Sequence, residues 1–156
     1  MSSVATAEAV RTLRIARETL IAAPVEVTFR AVLDELGPES TMPGGEAFPM
    51  VLEARPGGRW YRDLGKDSGH LWGHVQVIKP PRLIELCGPM FMSFPAINFV
   101  QYRLTPEGTG TKLALVHRAM GLIPDEYLEG VDMGWEHSLK RIAELAAARP
   151  GSAARR

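Results

Sequence analysis

The chain has 156 residues, of which 46% are hydrophobic and 23% are charged. These fractions are close to globular averages, so a disordered or fibrous protein is not indicated, and one domain with a single core is enough for this length. Eighteen Lys and Arg residues balance 18 Asp and Glu residues, which gives a formal net charge of zero. Because no overall positive field would attract phosphate groups, we expect no nucleic-acid partner.

The first elements follow from apolar spacing and from the positions of proline and glycine. Alternating apolar residues predict a first strand over 13–21, which Ala23-Pro24 ends. Pro24 and Glu26 suit the first turn of a helix, and apolar residues then recur at helical spacing up to Gly37-Pro38. Residues 37–49 are rich in proline and glycine, which predicts a surface loop.

Six more strands are predicted in sequence order, without the alternation of strands and helices that marks a parallel sheet. The first two flank Arg55-Pro56-Gly57-Gly58, whose glycines can supply the positive φ angles of a tight hairpin. In the others one parity is apolar, which indicates half-buried strands. The six strands are predicted at 50–54, 59–64, 71–78, 83–87, 98–104 and 111–117.

A long helix is predicted to close the chain. It starts at Pro124, carries acidic residues in its first turn, and ends at Arg149-Pro150-Gly151. Gly130 and Gly134 lie one turn apart, so their missing side chains either let the backbone approach the sheet or leave space beside it. An apolar stripe of six residues runs along this helix: Leu128, Val131, Trp135, Leu139, Ile142 and Ala146. We therefore divide the chain into a flexible N-terminus (1–12), one α+β domain (13–148) and a flexible tail (149–156).

Four segments carry a resemblance to a known family. They are Ile21-Ala22-Ala23-Pro24 with Phe29, the hairpin Arg55-Pro56-Gly57-Gly58-Arg59-Trp60, residues 73–83, and residues 110–117 followed by Gly134-Trp135 and Leu139. In this order the chain resembles the START-like or SRPBCC superfamily, and within it the proteins related to the activator of the heat-shock protein ATPase. The resemblance implies the helix-grip fold, in which a curved antiparallel sheet of six to seven strands wraps around a long C-terminal helix. Lipid carriers, hormone receptors, cyclases and chaperone cofactors share this scaffold, so the fold does not select one activity.

A cavity between sheet and helix would be lined by the inward parity of the strands and by the helix stripe. A small apolar or aromatic ligand is expected there, with Arg59, Tyr102 or His117 anchoring a polar end. The remaining candidate ligand-binding residues are Trp60, Val75, Ile84, Leu86, Met90, Phe91, Leu113, Leu115, Met133 and Trp135.

The connection over residues 87–97 is unusually rich in methionine and phenylalanine. It could form an adaptable lid over the cavity, because methionine reshapes around varied apolar partners. It could instead be a contact in a homodimer, or a loop packed on the core. The sequence leaves all three interpretations open.

The histidines give little support for a catalytic or metal site. His70 and His74 would be about 13 Å apart on a strand, too far to share a metal ion. His117 fits a core histidine better than a cavity group, Glu136-His137 is interpreted as a solvated helix face, and Arg59 with Glu53 and Arg55 as a surface ion pair. No common catalytic or phosphate-binding motif occurs, so we expect no cofactor and no metal.

The leading hypothesis is therefore a non-catalytic module that binds a small hydrophobic molecule. A cyclase, lyase or hydrolase using a cavity acid-base group such as His117 is one alternative, and a chaperone ATPase cofactor is the other. Cys87 is the only cysteine, which suits a reducing compartment, and no run approaches the roughly 18 apolar residues of a membrane span. We expect a cytoplasmic location and no membrane partner.

Overall fold

Seven strands and two helices are present in the computed structural model, which describes residues 2–149. The order of elements is the predicted one: strand, helix, six strands, helix. Their bounds are β1 (Arg11–Ile21), α1 (Val25–Leu36), β2 (Val51–Leu52), β3 (Arg59–Gly65), β4 (Ser68–Lys79), β5 (Leu83–Gly88), β6 (Ala96–Glu107), β7 (Gly110–Gly121) and α2 (Asp125–Ala148).

The strands form one curved antiparallel sheet in the order β1-β7-β6-β5-β4-β3-β2. Consecutive strands from β2 to β7 pair as a meander, and β1 pairs with β7 over Arg11↔Gly121 to Ile21↔Thr111. This confirms the predicted α+β helix-grip architecture. β1 begins two residues before the predicted domain start at 13; Met1 and residues 150–156, most of the predicted tail, lie outside the described part of the chain.

The hairpin between β2 and β3 uses its two glycines for different reasons. Gly57 has a φ of 78°, the left-handed conformation that the sequence predicts. Gly58 has no positive φ; instead, a Cβ there would overlap the backbone carbonyl of Glu53. Beside this turn, Glu53 accepts hydrogen bonds from Arg59 Nε (3.0 Å) and Nη2 (2.9 Å).

α2 lies against the concave face of the sheet through the predicted stripe. Val131, Trp135, Leu139, Ile142 and Ala146 are buried, and Leu128 is half-buried. The inward parity of the central strands supplies the opposing layer, with side chains that are almost completely buried: Ile84, Leu86, Val100, Tyr102, Leu104, Leu113 and Leu115. Burying these side chains stabilises the domain at roughly 1.5 to 3 kcal/mol each before entropy is subtracted.

Candidate functional site

A pocket of about 510 Å³ opens beside the first half of α2. It lies between α2, the connection from α1 to β2, and aromatic side chains of β3 and β4, so the 37–49 loop forms one of its walls. Exposed residues at the mouth include Met42, Glu126 and Gly130. The lining consists of Glu35, Leu36, Ser40, Thr41, Met42, Pro43, Phe48, Met50, Trp60, Trp72, Met90, Phe91, Glu126, Tyr127, Gly130, Val131, Gly134, Trp135, His137 and Ser138.

Two glycines of α2 explain why this space exists. A Cβ added at Gly130 or at Gly134 would meet no atom within 4 Å. Of the two interpretations that the sequence left open, the glycines therefore leave space beside the helix and do not bring it close to the sheet. Since glycine costs a helix interior about 1 kcal/mol relative to alanine, the space has an energetic cost in the fold.

Six aromatic side chains, which we call the aromatic wall, cover much of the pocket surface: Phe48, Trp60, Trp72, Phe91, Tyr127 and Trp135. Trp72 lies at its centre, with ring centroids 5.9 Å from Phe48, 5.1 Å from Trp60 and 6.0 Å from Phe91. Phe91 in turn stacks on Tyr127 at 5.8 Å. The Trp60 indole donates to the Leu36 carbonyl (2.8 Å), which fixes its ring at the end of α1.

Trp72 reaches the pocket because of a β-bulge. Trp60 pairs with Gly73 whereas Tyr61 pairs with Leu71, so Trp72 is an extra residue in β4. The bulge changes which side chains face inward. Regular alternation along β4 would put Leu71 on the same face as Gly73; with the bulge, Leu71 is 43% exposed and Trp72 packs against the core.

The polar end of the pocket contains a buried carboxyl group. Glu35 is only 5% exposed although it lines the pocket. Burial raises its pKa from 4.5 to about 7, because a charged carboxylate loses its hydration there; hydrogen bonding from Ser138 and the charge of Arg141 oppose this rise. Nearby, a 2.9 Å hydrogen bond joins Thr41 Oγ1 to His137 Nε2. His137 is thus half-buried in the pocket wall, and its predicted place on a solvated face is wrong.

Tyr102 of β6 lies behind the pocket wall. Its ring packs edge-on against Trp135 at 6.4 Å, and its side chain is fully buried. Burial and the nearby Glu35 raise the pKa of the Tyr102 hydroxyl well above its usual value. Among the described residues, this hydroxyl is the one buried side-chain polar atom without a hydrogen-bond partner.

His117 is a structural residue in a closed hydrogen-bond network. The Trp135 indole donates to His117 Nδ1 (2.9 Å), so the ring proton is on Nε2, which donates to Asn98 Oδ1 (2.6 Å). Asn98 Nδ2 donates to the carbonyls of Gly88 (3.2 Å) and Pro89 (3.1 Å). Burial lowers the pKa of His117 from 6.5 to about 4, which keeps the ring neutral. His117 therefore fits the interpretation as a core histidine better than the interpretation as a ligand anchor in a cavity.

Four of the candidate ligand-binding residues come together in the pocket: Trp60, Met90, Phe91 and Trp135. Seven others lie in the core outside its lining: Val75, Ile84, Leu86, Tyr102, Leu113, Leu115 and His117. The space opens beside the first half of α2, and the middle of the sheet is filled by side chains.

Two candidates lie away from the pocket altogether. Met133 is 73% exposed, because it falls off the buried stripe on the opposite side of α2. Arg59 is paired with Glu53 in the β2–β3 hairpin, as the surface ion-pair interpretation holds, and does not face the pocket. Neither side chain is therefore placed to contact a molecule in this pocket.

The connection between β5 and β6 packs on the protein's own core and pocket. Met90 and Met92 are 3% and 2% exposed, and the Met90 amide donates to the Trp72 carbonyl (2.7 Å). Phe94 packs edge-on against Tyr127 at 4.9 Å. This segment therefore forms part of the wall and links it to the start of α2.

Two absences concern metal ions and membrane spans in the described part of the chain. Residues 2–149 contain no group of three or more His, Cys, Asp or Glu side chains placed to hold a metal ion. In the same range, neither helix is long and apolar enough to cross a membrane.

Comparison with known structures shows the same fold in distant proteins. A protein of Rhizobium leguminosarum has a TM-score of 0.72 at 18% identity, with 92% of this chain and 100% of that chain covered. One from Chromobacterium violaceum has a TM-score of 0.68 at 24% identity, covering 88% and 99%. CalU16 from Micromonospora echinospora has a TM-score of 0.60 at 22% identity, covering 92% and 88%.

Sequence comparison identifies the family. No curated protein matches the chain. The model of the family described as "Activator of Hsp90 ATPase homolog 1-like protein" matches residues 22–147, which is most of the chain and includes every strand except β1. The chain therefore belongs to the Activator of Hsp90 ATPase homolog 1-like family, a branch of the START-like superfamily with the helix-grip fold.

Proposed function

We propose that this protein binds a small apolar or aromatic molecule in the pocket beside α2. The observation that carries the proposal is a space of about 510 Å³ enclosed by the aromatic wall and by Met50 and Met90. Ligand pockets usually measure about 300 to 1,000 Å³ and combine apolar walls with a few polar groups. Here Glu35, Ser138 and the Thr41–His137 pair supply the polar groups at one end.

The packing around the pocket supports a preformed site. Trp60 is held by its hydrogen bond to Leu36, and Trp135 by its hydrogen bond to His117. Rings that are already fixed lose little side-chain entropy when a ligand contacts them, so more of the contact energy appears as affinity.

The chain's three tryptophans all line the pocket, which gives a direct assay. A neutral probe such as 4-phenylbutan-1-ol should change their fluorescence saturably, and native mass spectrometry of freshly purified protein should reveal any co-purifying molecule. Bare polypeptide in the mass spectrum, together with no saturable response to a panel of aromatic and aliphatic probes, would count decisively against the proposal.

Acid-base catalysis is a second candidate function, because Glu35 is a carboxyl group with a pKa of about 7 beside the pocket. Such a group can exchange a proton at neutral pH. It differs from the candidate His117, which lies in a closed network away from the pocket. If the protein is a catalyst, the wild type should convert a ligand that the Glu35→Gln variant binds but leaves unchanged. If it only binds, both proteins should return the ligand unaltered.

A further inference from the structure

The charged groups on the pocket wall are of one sign. Glu35 and Glu126 contribute carboxyl groups, and the described lining contains no lysine or arginine. Six aromatic rings make up much of the remaining surface, and their faces carry the negative part of the ring quadrupole. Both kinds of group favour a positive charge in the pocket over a negative one.

Once ionised, Glu35 should attract a cation more strongly than Glu126 does, because Glu35 is buried and poorly screened by water whereas Glu126 is exposed at the mouth. Its neighbours leave it partly uncompensated. Arg141 of α2 is paired with Glu39 (3.2 Å) and Glu144 (3.7 Å), and the facing group of β6 is the Tyr102 hydroxyl, which is neutral at ordinary pH. Ser138 and His137 of α2 complete the surroundings. The fold already bears the cost of burying this carboxyl, so a cation that reaches it gains an attraction without adding that cost.

We propose that the pocket selects ligands with an amine: the ammonium group lies against Glu35, and the apolar body extends along the aromatic wall. This inference rests on the proposed function and specifies its ligand class. An ammonium near aromatic faces is attracted by cation–π interactions as well as by the carboxylate, and these grow stronger as water is excluded. A carboxylic acid of the same shape would meet Glu35 with like charge, and an alcohol would gain a hydrogen bond alone.

Three probes with one apolar body test the inference: 4-phenylbutylamine, 4-phenylbutan-1-ol and 4-phenylbutanoic acid. Affinities are measured by calorimetry at pH 8, where Glu35 is mostly ionised and an alkylamine, with a pKa of about 10, is still protonated. The amine should bind about tenfold more tightly than the alcohol. The acid should bind most weakly.

Two variants assign the preference to Glu35. Glu35→Gln removes the charge with little change of shape, so the ratio of amine affinity to alcohol affinity should fall well below tenfold. Glu129→Gln removes an exposed carboxylate from α2 that does not line the pocket, and the amine should still bind this variant about tenfold more tightly than the alcohol does. Circular dichroism checks that both variants fold.

The outcomes separate this inference from the proposed function. If the alcohol or the acid equals or exceeds the amine in the wild type, amine selection is wrong although a pocket that binds small molecules remains. Equal amine preference in the wild type and in Glu35→Gln would overturn the role of Glu35. If that variant fails to fold, the order of the three affinities in the wild type still tests amine selection. If none of the three probes binds, amine selection fails, and bare polypeptide in the native mass spectrum together with no response to the wider probe panel would then overturn the proposed function as well.

Discussion

Replacing Gly134 tests whether the pocket is real space. Alanine at this position should stabilise the protein by about 1 kcal/mol, because alanine is favoured over glycine in a helix interior and its Cβ would meet no atom within 4 Å. For a chain of this length, this corresponds to a rise in Tm of about 2 to 4 °C. Leucine should give a similar gain in stability, but its isobutyl group would extend into the pocket and weaken probe binding by about tenfold or more.

Met133→Leu is the matched control, since it places a leucine on the preceding residue of α2, whose side chain is 73% exposed in the wild type. Its Tm and its affinity for 4-phenylbutan-1-ol should stay close to those of the wild type. Thermal unfolding and calorimetry on the three variants complete the experiment. A lower Tm for Gly134→Ala would refute the reasoning, because it would mean that α2 packs closely at this point. Undiminished binding by Gly134→Leu would place the ligand elsewhere.

The other predictions concern the buried polar groups. The carboxyl of Glu35 has a raised pKa, so the folded state favours its protonated form. In urea unfolding, the free energy of unfolding of the wild type should fall by up to about 3 kcal/mol relative to Glu35→Gln as the pH rises from 4.5 to about 7. Parallel pH curves for the two proteins would contradict the burial effect. The pKa of His117 is lowered, so burial of the neutral ring stabilises the protein fully above pH 6.5. About 3 kcal/mol of the free energy of unfolding should be lost as the pH falls from 6.5 to about 4. His117→Gln should not show this loss, and the same pH slope in that variant would refute the prediction. Tyr102→Phe should raise the free energy of unfolding by about 1 kcal/mol because it removes a buried hydroxyl without a partner, and a clear loss of stability would reveal an unrecognised partner. Asn98→Ala should cost about 3 kcal/mol because it leaves His117 Nε2 and the carbonyls of Gly88 and Pro89 without their hydrogen bonds, whereas a near-neutral effect would contradict the network.

The fold was predictable because its signals are local. Alternating apolar residues mark each strand of the meander, and the glycine and proline positions mark the turns between them. In α2, the buried residues Val131, Trp135, Leu139 and Ile142 follow the stripe that the sequence predicts. Each of these patterns is set by residues close in sequence, so one chain suffices to identify it.

The pocket was only partly predictable because its wall depends on non-local geometry. Trp72 faces inward through a bulge that becomes visible only when β3 and β4 are paired. His137 joins the wall because the 37–49 loop brings Thr41 to it, and a loop path cannot be derived from apolar spacing. His117 has the parity of a cavity residue, but its partners Asn98 and Trp135 are distant in sequence.

One missed residue did leave a signal in the sequence. Glu35 follows Val32 by three residues and precedes Leu36, so it lies on the buried face of α1. A charged residue on an apolar face is rare unless it has a partner or a function, which could have identified it. Gly130 and Gly134 also indicated the position of the pocket, but the sequence could not distinguish open space from close approach.

The pairing of β1 with β7 has a consequence for how the chain folds during synthesis. Arg11 lies opposite Gly121, and Ile21 lies opposite Thr111. β1 is synthesised first, and it cannot pair until β7, the last strand, has been synthesised. The hairpins from β2 to β7 can close as they emerge, since each joins neighbours in sequence. The non-local β1–β7 contact adds a late, slow step, and a nascent chain that stops before residue 110 would leave the apolar side of β1 unprotected.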